Sequence, residues 1–140
     1  MSNNVRLFIR RELQEERDNN QYLDQVLNDF KLYKSGQNIT YFGKDVPYHD
    51  PRPYAERAGI RHVHLLDNVR TLKMQGRGNT SDRAIVYTEA SMNPNMFYVI
   101  DLLNENAHAQ ASSRVRDPLL GNKTYIEWVI EKAEQFRNSK

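Results

Sequence analysis

The chain of 140 residues contains no cysteine. Disulfide bonds, thiolate nucleophiles and cysteine-ligated zinc sites are therefore excluded, and the absence fits a cytosolic protein. No apolar run approaches the ~20 residues that a membrane-spanning helix needs, and the first residues do not form a signal-peptide pattern. We find no internal repeat and no low-complexity segment. We expect one domain over residues 1–140, working in the cytoplasm without a membrane.

The net charge of the chain is small, but its charged residues are unevenly distributed. The formal net charge is +2, and 39% of the residues are hydrophobic, which suffices for one core under a strongly polar surface. Between residues 52 and 83 there are three acids and seven cations, namely Arg52, Arg57, Arg61, Arg70, Lys73, Arg77 and Arg83. A local cationic patch suits a polyanionic partner met in one orientation. A solvated loop is the plainer interpretation.

Hydrophobic periodicity predicts an α+β domain with N-terminal helical segments, a small antiparallel sheet and a C-terminal helix. A short strand running into a helix is expected from residue 5, and the stripe from Tyr22 to Tyr33, capped by Asn19 or Asn20, predicts a second helix. The predicted strands are 60–66, 83–88 and 96–103, the last two joined by a turn at 93–95. Thr124 and Glu127 form a capping box that begins the last helix.

Two connections are expected to be irregular. Residues 37–59 are rich in proline and glycine, which disfavours regular structure, but their aromatic residues indicate that the segment packs on the domain. Residues 68–82 are polar, basic and glycine-containing, and we interpret them as a mobile loop in which Lys73 and Arg77 are available to RNA.

The motif with the clearest chemistry is Arg61-His62-Val63-His64, which holds two of the four histidines. Residues two apart on a strand share a face at about 6–7 Å, so His62 and His64 are predicted to point the same way, with Arg61 across the pleat. Imidazole accepts and donates protons near neutral pH. Two exposed imidazoles beside arginines suit the cleavage of a phosphodiester.

RNA cleavage without a metal needs a base, an acid and cations that stabilise the phosphorane. His62 and His64 are candidates for base and acid, and His108 is a third proton carrier. The candidates for holding the phosphate are Arg61, Arg77 and Arg83. Tyr87 would orient the ribose or stack on a base. Arg114 and Arg116 are candidate surface contacts to ribosomal RNA or to a protein partner.

Plainer interpretations stand beside these. His62 and His64 are alternatively the polar side of an amphipathic strand, or groups that hold Tyr48 in place. Tyr48 itself is either a platform for stacking on a base or part of a loop plugged into the core. His-x-His with His108 is a partial metal site, but no fourth ligand is evident, so we expect neither a metal nor another cofactor.

Several ordered motifs resemble those of the YafO family of bacterial toxins. They are Asp29-Phe30, Tyr33-Lys34, Phe42-Gly43-Lys44-Asp45, Tyr48, His62-Val63-His64-Leu65, Ser81-Asp82, Val86-Tyr87, a histidine near His108, and Lys132-Ala133-Glu134-Gln135-Phe136-Arg137. The resemblance extends from about residue 25 to the last helix. It therefore covers most of the chain.

The resemblance implies a toxin of a type II toxin–antitoxin pair. Such a toxin is an mRNA interferase that cuts message on the ribosome, and its partner is a small antitoxin. The implied fold is a distant relative of the RelE type, whose enzymes commonly use Lys, Arg and Tyr along the sheet; the sequence alone does not place that set. The alternative from another class is a non-catalytic RNA- or ribosome-binding module. A protein-interaction partner such as an immunity protein is a third, weaker interpretation.

Overall fold

The computed structural model of the protein describes residues 4–66, 83–103 and 113–140. Its strands are β1 (Arg6–Ile9), β2 (Phe42–Pro47), β3 (Ile60–Leu65), β4 (Arg83–Glu89) and β5 (Met96–Leu103). Its helices are α1 (Arg11–Arg17), α2 (Gln21–Lys34), α3 (Tyr54–Arg57) and α4 (Tyr125–Ser139), with a 3-10 turn at Pro118–Leu120. The α+β architecture predicted from the sequence is confirmed.

The strands form one sheet in the order β1-β5-β4-β3-β2. The strands β3, β4 and β5 make the predicted antiparallel meander, and β2 adds an antiparallel edge strand next to β3. The short N-terminal strand is also confirmed, but it joins the edge of the sheet parallel to β5. The predicted turn between β4 and β5 contains Asn95 at a φ of 68°, a left-handed conformation that asparagine tolerates better than most residues.

Helices cover both faces of this sheet. On the first, called here the α2 face, Val26 and Phe30 pack against strand residues such as Val63 and Ile85. On the second, the α4 face, helices α3 and α4 pack against Ile60, Val86 and Ile100. Because successive side chains of a strand point to opposite faces, odd-numbered residues of β3 and β4 point to the α2 face and even-numbered ones to the α4 face.

The helix starts follow the predicted capping chemistry. The side chain of Asn20 accepts a hydrogen bond from the Leu23 N–H at 3.1 Å, which satisfies one of the unpaired donors of the first turn. At the start of α4, the Glu127 N–H donates to Thr124 Oγ1 at 3.3 Å and the Thr124 N–H donates to Glu127 Oε1 at 2.9 Å. This is the reciprocal capping box that the sequence predicts.

The prediction of an irregular connection over 37–59 is wrong in part. Residues 42–47 form the edge strand β2, and residues 54–57 form the short helix α3. Pairing with β3 outweighs the low strand propensity of this segment, because packing commonly overrides intrinsic preference in strands. An edge strand also tolerates proline at its end, as at Pro47. The prediction that the segment packs on the domain is confirmed.

The predicted mobile loop over 68–82 lies outside the described residues. Among the helices that the structure describes, none combines the length and apolar character needed to cross a membrane.

Candidate functional site

The sheet divides the predicted site residues between its two faces. Arg61 lies directly opposite Tyr87 in the β3–β4 register, and both point to the α2 face. His62 and His64 alternate with Arg61 along the same strand, so they point to the α4 face. The candidate residues therefore form two separate groups rather than one site.

On the α2 face, Asp45 gathers four polar side chains into what we call the Asp45 cluster. The Tyr87 hydroxyl lies 2.8 and 2.7 Å from its two carboxylate oxygens, and the Tyr33 hydroxyl donates at 2.8 Å. Lys34 Nζ and Arg61 Nε each lie 3.2 Å from the carboxylate. Lys34 Nζ also donates to the Tyr87 hydroxyl at 2.6 Å. A lysine, an arginine and two tyrosines thus meet at one carboxylate.

Three neighbouring strands and one helix end build this cluster. Asp45 lies on β2, Arg61 on β3 and Tyr87 on β4, and the three side chains meet because their strands are adjacent and point to one face. Tyr33 and Lys34 come from the last turn of α2. The partial negative charge at the C-terminal end of a helix favours a cation such as Lys34 there.

Burial and mutual charge shift the proton affinities of the cluster. Burial alone would raise the pKa of Asp45, but the Lys34 ammonium, the hydroxyls of Tyr87 and Tyr33, and Arg61 outweigh it and lower that pKa. Burial lowers the pKa of Lys34 despite the opposing effect of Asp45. Burial and then Asp45 raise the pKa of Tyr87, and the same causes raise that of Tyr33 to about 12. Both tyrosines therefore remain protonated donors.

Access to solvent differs sharply within the cluster. The Arg61 side chain is 40% exposed, whereas those of Lys34 and Asp45 are 16% and 14% exposed. Tyr87 is fully buried, with its ring 4.8 Å from that of Phe30 in an edge-on contact. The expectation that Tyr87 stacks on a base is wrong in this structure, because its ring is part of the core. Arg61 is the most exposed of these four side chains.

The histidine pair lies on the α4 face and is buried. His62 and His64 lie side by side with ring centroids 4.8 Å apart, as the strand pattern predicts. Their exposed fractions are only 7% and 3%, so the prediction that both imidazoles are open to solvent is wrong. The physical reason is that β3 is an inner strand whose two faces are both covered. A catalytic role for the pair stays a prediction.

Tyr48 is part of the cover over the histidines. Its ring stacks on that of His62 at 4.0 Å between centroids and 17° between planes. Burial, with a smaller effect of Asp101, raises the pKa of Tyr48 to about 12. The Tyr48 ring packs against the core of the α4 face, which favours a loop anchored in the core over a platform for RNA, although residues 49–54 are exposed.

The remaining predicted cations are spread out. Arg83 points to the α2 face but donates to the Tyr22 hydroxyl and to the Leu66 carbonyl. It is four residues from Tyr87 along β4, about 13 Å, and its hydrogen bonds are made outside the Asp45 cluster. Arg114 is exposed, and Arg116 is exposed and lies 3.2 Å from Glu127. Lys73, Arg77 and His108 lie outside the described residues.

A groove opens at the end of β2, the start of β3 and the end of β4, beside the Asp45 cluster. We call it the strand-end groove; it has a volume of about 370 Å³, and its lining includes Pro47, His49, Glu56, Ile60, Arg61, Glu89 and Arg137. His49 Nδ1 lies 3.5 Å from Glu56 Oε1. Arg61 thus belongs both to the Asp45 cluster and to the wall of an open cavity.

Sequence reasoning missed Lys34, Asp45 and the groove acids. Lys34 and Asp45 occur in the motifs shared with the toxin family, but the sequence pattern indicates no role for them in a site. No spacing pattern in a sequence shows that the end of a helix meets residues of three strands. Within the described part of the chain, no group of three or more His, Asp or Glu side chains could hold a metal ion. His108, part of the metal alternative, is not among those residues.

Comparison with known proteins decides the family. Residues 31–138 match the family model described as Toxin YafO, type II toxin-antitoxin system. The chain belongs to this toxin family. The matched region of this YafO toxin contains every member of the Asp45 cluster and of the strand-end groove, whereas β1 and α1 precede it. No curated protein and no solved structure matches the chain.

Membership of the family carries two plain consequences. The protein is a toxin of a type II toxin–antitoxin system, and its partner is an antitoxin. The resemblance found in the sequence is thereby confirmed at the level of the family.

Proposed function

We propose that this YafO toxin is an endoribonuclease that cuts mRNA on the ribosome, stops translation in the cytoplasm and is neutralised by its antitoxin. The family match supports the toxin role. The observation that carries the chemistry is a pair of cations, Lys34 and Arg61, each 3.2 Å from one carboxylate at the rim of an open groove.

The proposed reaction is transfer of the phosphodiester to the neighbouring 2′-oxygen. The 2′-hydroxyl gives its proton to a base as the oxygen attacks phosphorus, and the bond to the 5′-oxygen breaks. An acid then protonates the leaving 5′-oxygen, which gives a 2′,3′-cyclic phosphate and a 5′-hydroxyl. Cations that hold the phosphorane charge replace a metal ion in this reaction, so no cofactor is needed.

Arg61 is the proposed phosphate contact. Asp45 engages it through Nε to the carboxylate at 3.2 Å and through Nη2 to the main-chain oxygen at 2.8 Å. These bonds fix the plane of the guanidinium while its side chain stays partly exposed. A cation fixed before the substrate arrives stabilises developing charge without paying for reorientation.

Lys34 is the proposed proton carrier. Burial lowers its pKa, which raises the fraction of neutral amine near neutral pH, the form that accepts a proton. Tyr87 and Asp45 are assigned as positioning residues, because their hydrogen bonds hold Lys34 and Arg61 in place. This set supplies the lysine, arginine and tyrosine that the resemblance implies.

The histidine assignment competes with this one. His62, His64 and His108 were the sequence-based candidates for proton transfer, with Arg83 for the phosphate. The two described histidines point to the α4 face, opposite the Asp45 cluster, so both groups cannot act on one phosphate. A single experiment can therefore separate them.

The experiment maps message ends by primer extension in cells expressing wild type, Arg61→Ala or His64→Ala. We expect wild type to create new ends and Arg61→Ala to reduce them roughly 100-fold or more, as for loss of one charge-stabilising group. Arg57→Ala is the matched control, because Arg57 is an exposed cation on α3 outside the Asp45 cluster. Urea denaturation of each purified variant checks that it folds.

Other outcomes have defined meanings. If folded His64→Ala loses cleavage while Arg61→Ala retains it, the catalytic site lies on the α4 face. If wild type associates with ribosomes in a salt-dependent way but creates no new ends, the protein is a non-catalytic binding module and the enzyme proposal fails.

The proposed RNA contact extends beyond the Asp45 cluster. The sequence-based set is Tyr48, Arg61, Lys73, Arg77, Arg114 and Arg116. Of its described members, Arg61, Arg114 and Arg116 keep substantial exposure, so they fit contact with messenger or ribosomal RNA. Tyr48 would act only indirectly, through its stack on His62.

A further inference from the structure

The strand-end groove touches the proposed catalytic cluster but has a different composition. Its charged lining consists of two arginines, Arg61 and Arg137, and two glutamates, Glu56 and Glu89, with His49 beside them. The formal charges cancel. A neutral groove that contains carboxylates binds phosphate poorly, because carboxylates repel it. Carboxylates can, however, accept hydrogen bonds from the edge of a nucleobase.

Glu89 is the acid best placed for such contact. It points to the α2 face two residues beyond Tyr87, a separation of about 6–7 Å. Its negative charge acts to raise the pKa of Lys34. Arg137 Nη1 donates to the Glu89 main-chain oxygen at 2.9 Å, which fixes the backbone at this point. Within the described residues, no hydrogen bond or ion pair engages the exposed Glu89 carboxylate.

The lining of the groove also offers a stacking surface. The His49 side chain is 56% exposed and lies 3.5 Å from Glu56, which restrains the ring. Pro47, which is partly exposed, adds apolar surface to the lining. Unpaired RNA bases bind proteins by stacking on aromatic rings and by hydrogen bonds along the Watson–Crick edge. The volume of about 370 Å³ is within the range of small-ligand sites.

We infer that the strand-end groove is a guanine-binding subsite for the nucleotide next to the cleaved phosphate. Guanine presents two adjacent donors, N1–H and the N2 amino group, to the two oxygens of one carboxylate. Adenine, cytosine and uracil present no such pair. Glu89 would accept both hydrogen bonds while His49 stacks on the base and Arg61 holds the phosphate. This inference rests on the proposed function, since it names the substrate element read beside that site.

The first test uses the sequence around the cut positions. In cells, wild type is expected to cut next to guanine in preference to other bases. Glu89→Gln should still cut, but its preference for guanine should be roughly tenfold smaller. The reason is that the NH2 group of glutamine, a donor, would face one of the two N–H donors of guanine. Glu134→Gln is the matched control, since it removes the same charge at an exposed position outside the groove lining.

The second test does not depend on cleavage. The probes are two fluorescein-labelled trinucleotides with 2′-deoxy sugars, one containing guanine and the other inosine, which lacks the N2 amino group. We expect wild type to bind the guanine probe about tenfold more tightly, and Glu89→Gln to bind both equally. Equal binding by wild type would overturn the subsite whether or not the toxin cuts RNA. Guanine preference without cleavage would overturn only the proposed reaction.

Discussion

At the scale of single residues, one carboxylate organises the candidate site. Asp45 receives hydrogen bonds from two tyrosines and contacts two cations, although its side chain is only 14% exposed. A buried carboxylate is costly unless it is paired and hydrogen-bonded. Here the partners lower its pKa instead of allowing burial to raise it. The Asp45 carboxylate is therefore ionised at neutral pH.

The protonation of Asp45 predicts how stability depends on pH. Its pKa in the folded state lies below the ordinary value of 3.8, so the unfolded chain takes up the proton first as pH falls. The stabilising contribution is complete above the unfolded pKa and is lost as pH falls through the folded pKa. We expect Asp45→Asn to cost roughly 1–3 kcal/mol of unfolding free energy at pH 7, and less as pH falls below about 4.

Urea denaturation of wild type and Asp45→Asn between pH 7 and pH 3 measures this difference. Asp50→Asn is the control, because Asp50 is an exposed carboxylate of the loop that follows β2. A gap between wild type and Asp45→Asn that stays constant across this range would show that the charge of Asp45 is not what stabilises the fold.

At the scale of elements, β3 explains why the candidate residues separate. Its odd residues, such as Arg61 and Val63, point to α2, while its even residues, such as His62 and His64, point to α4. Strand periodicity predicts this alternation from the sequence. It does not say which side chains stay exposed. That depends on the helices and on the Tyr48 loop, which reach β3 from distant parts of the chain.

The helix α2 has a core side and an open side that a matched pair of variants can compare. Phe30 is fully buried and contacts the rings of Tyr87 and Phe97, whereas Leu32 is largely exposed. Phe30→Ala is expected to cost about 3–5 kcal/mol because it leaves a cavity. Leu32→Ala should change stability by less than about 0.5 kcal/mol. The midpoint of urea denaturation measures both.

The same pair tests the link between α2 and the site. Phe30 supports the Tyr87 ring, so Phe30→Ala should also reduce message cleavage, while Leu32→Ala should not. Equal stability of the two variants would contradict the packing described for this helix.

At the scale of the whole molecule, the fold extends beyond the region that defines the family. The family match begins at residue 31, inside α2. Residues before it nevertheless complete the sheet through β1 and fill the core through Val5 and Leu13, both of which are buried. The N-terminal segment is therefore part of the same folded unit as the matched region.

Removing residues 1–20 tests this statement. The truncated chain keeps α2 but loses β1 and α1, so the parallel edge next to β5 is uncovered. We expect a loss of at least roughly 3 kcal/mol in unfolding free energy, comparable to the removal of one or two large core side chains. Removal of residues 138–140, which are exposed, is the control. Unchanged stability after the N-terminal deletion would show that the matched region folds alone.

Much of the fold was predictable because it is local. Apolar periodicity predicted α2, α4 and the strands β3, β4 and β5 within one or two residues, and side-chain capping predicted the helix starts at Asn20 and Thr124. The strand β2 and the helix α3 were missed, because their formation depends on contacts with β3 and α4 that local sequence does not encode.

The sequence by itself determined the family and the alternation of Arg61 with His62 and His64 along one strand. It also determined most of the helices and strands that surround this strand. These depend on ordered motifs and on the two-residue repeat of a strand. Only the tertiary structure decided that the histidines are covered and that Lys34, Asp45, Arg61 and Tyr87 meet at one point. The reason is that burial and convergence depend on long-range packing, which brings together residues separated by up to 53 positions along the chain.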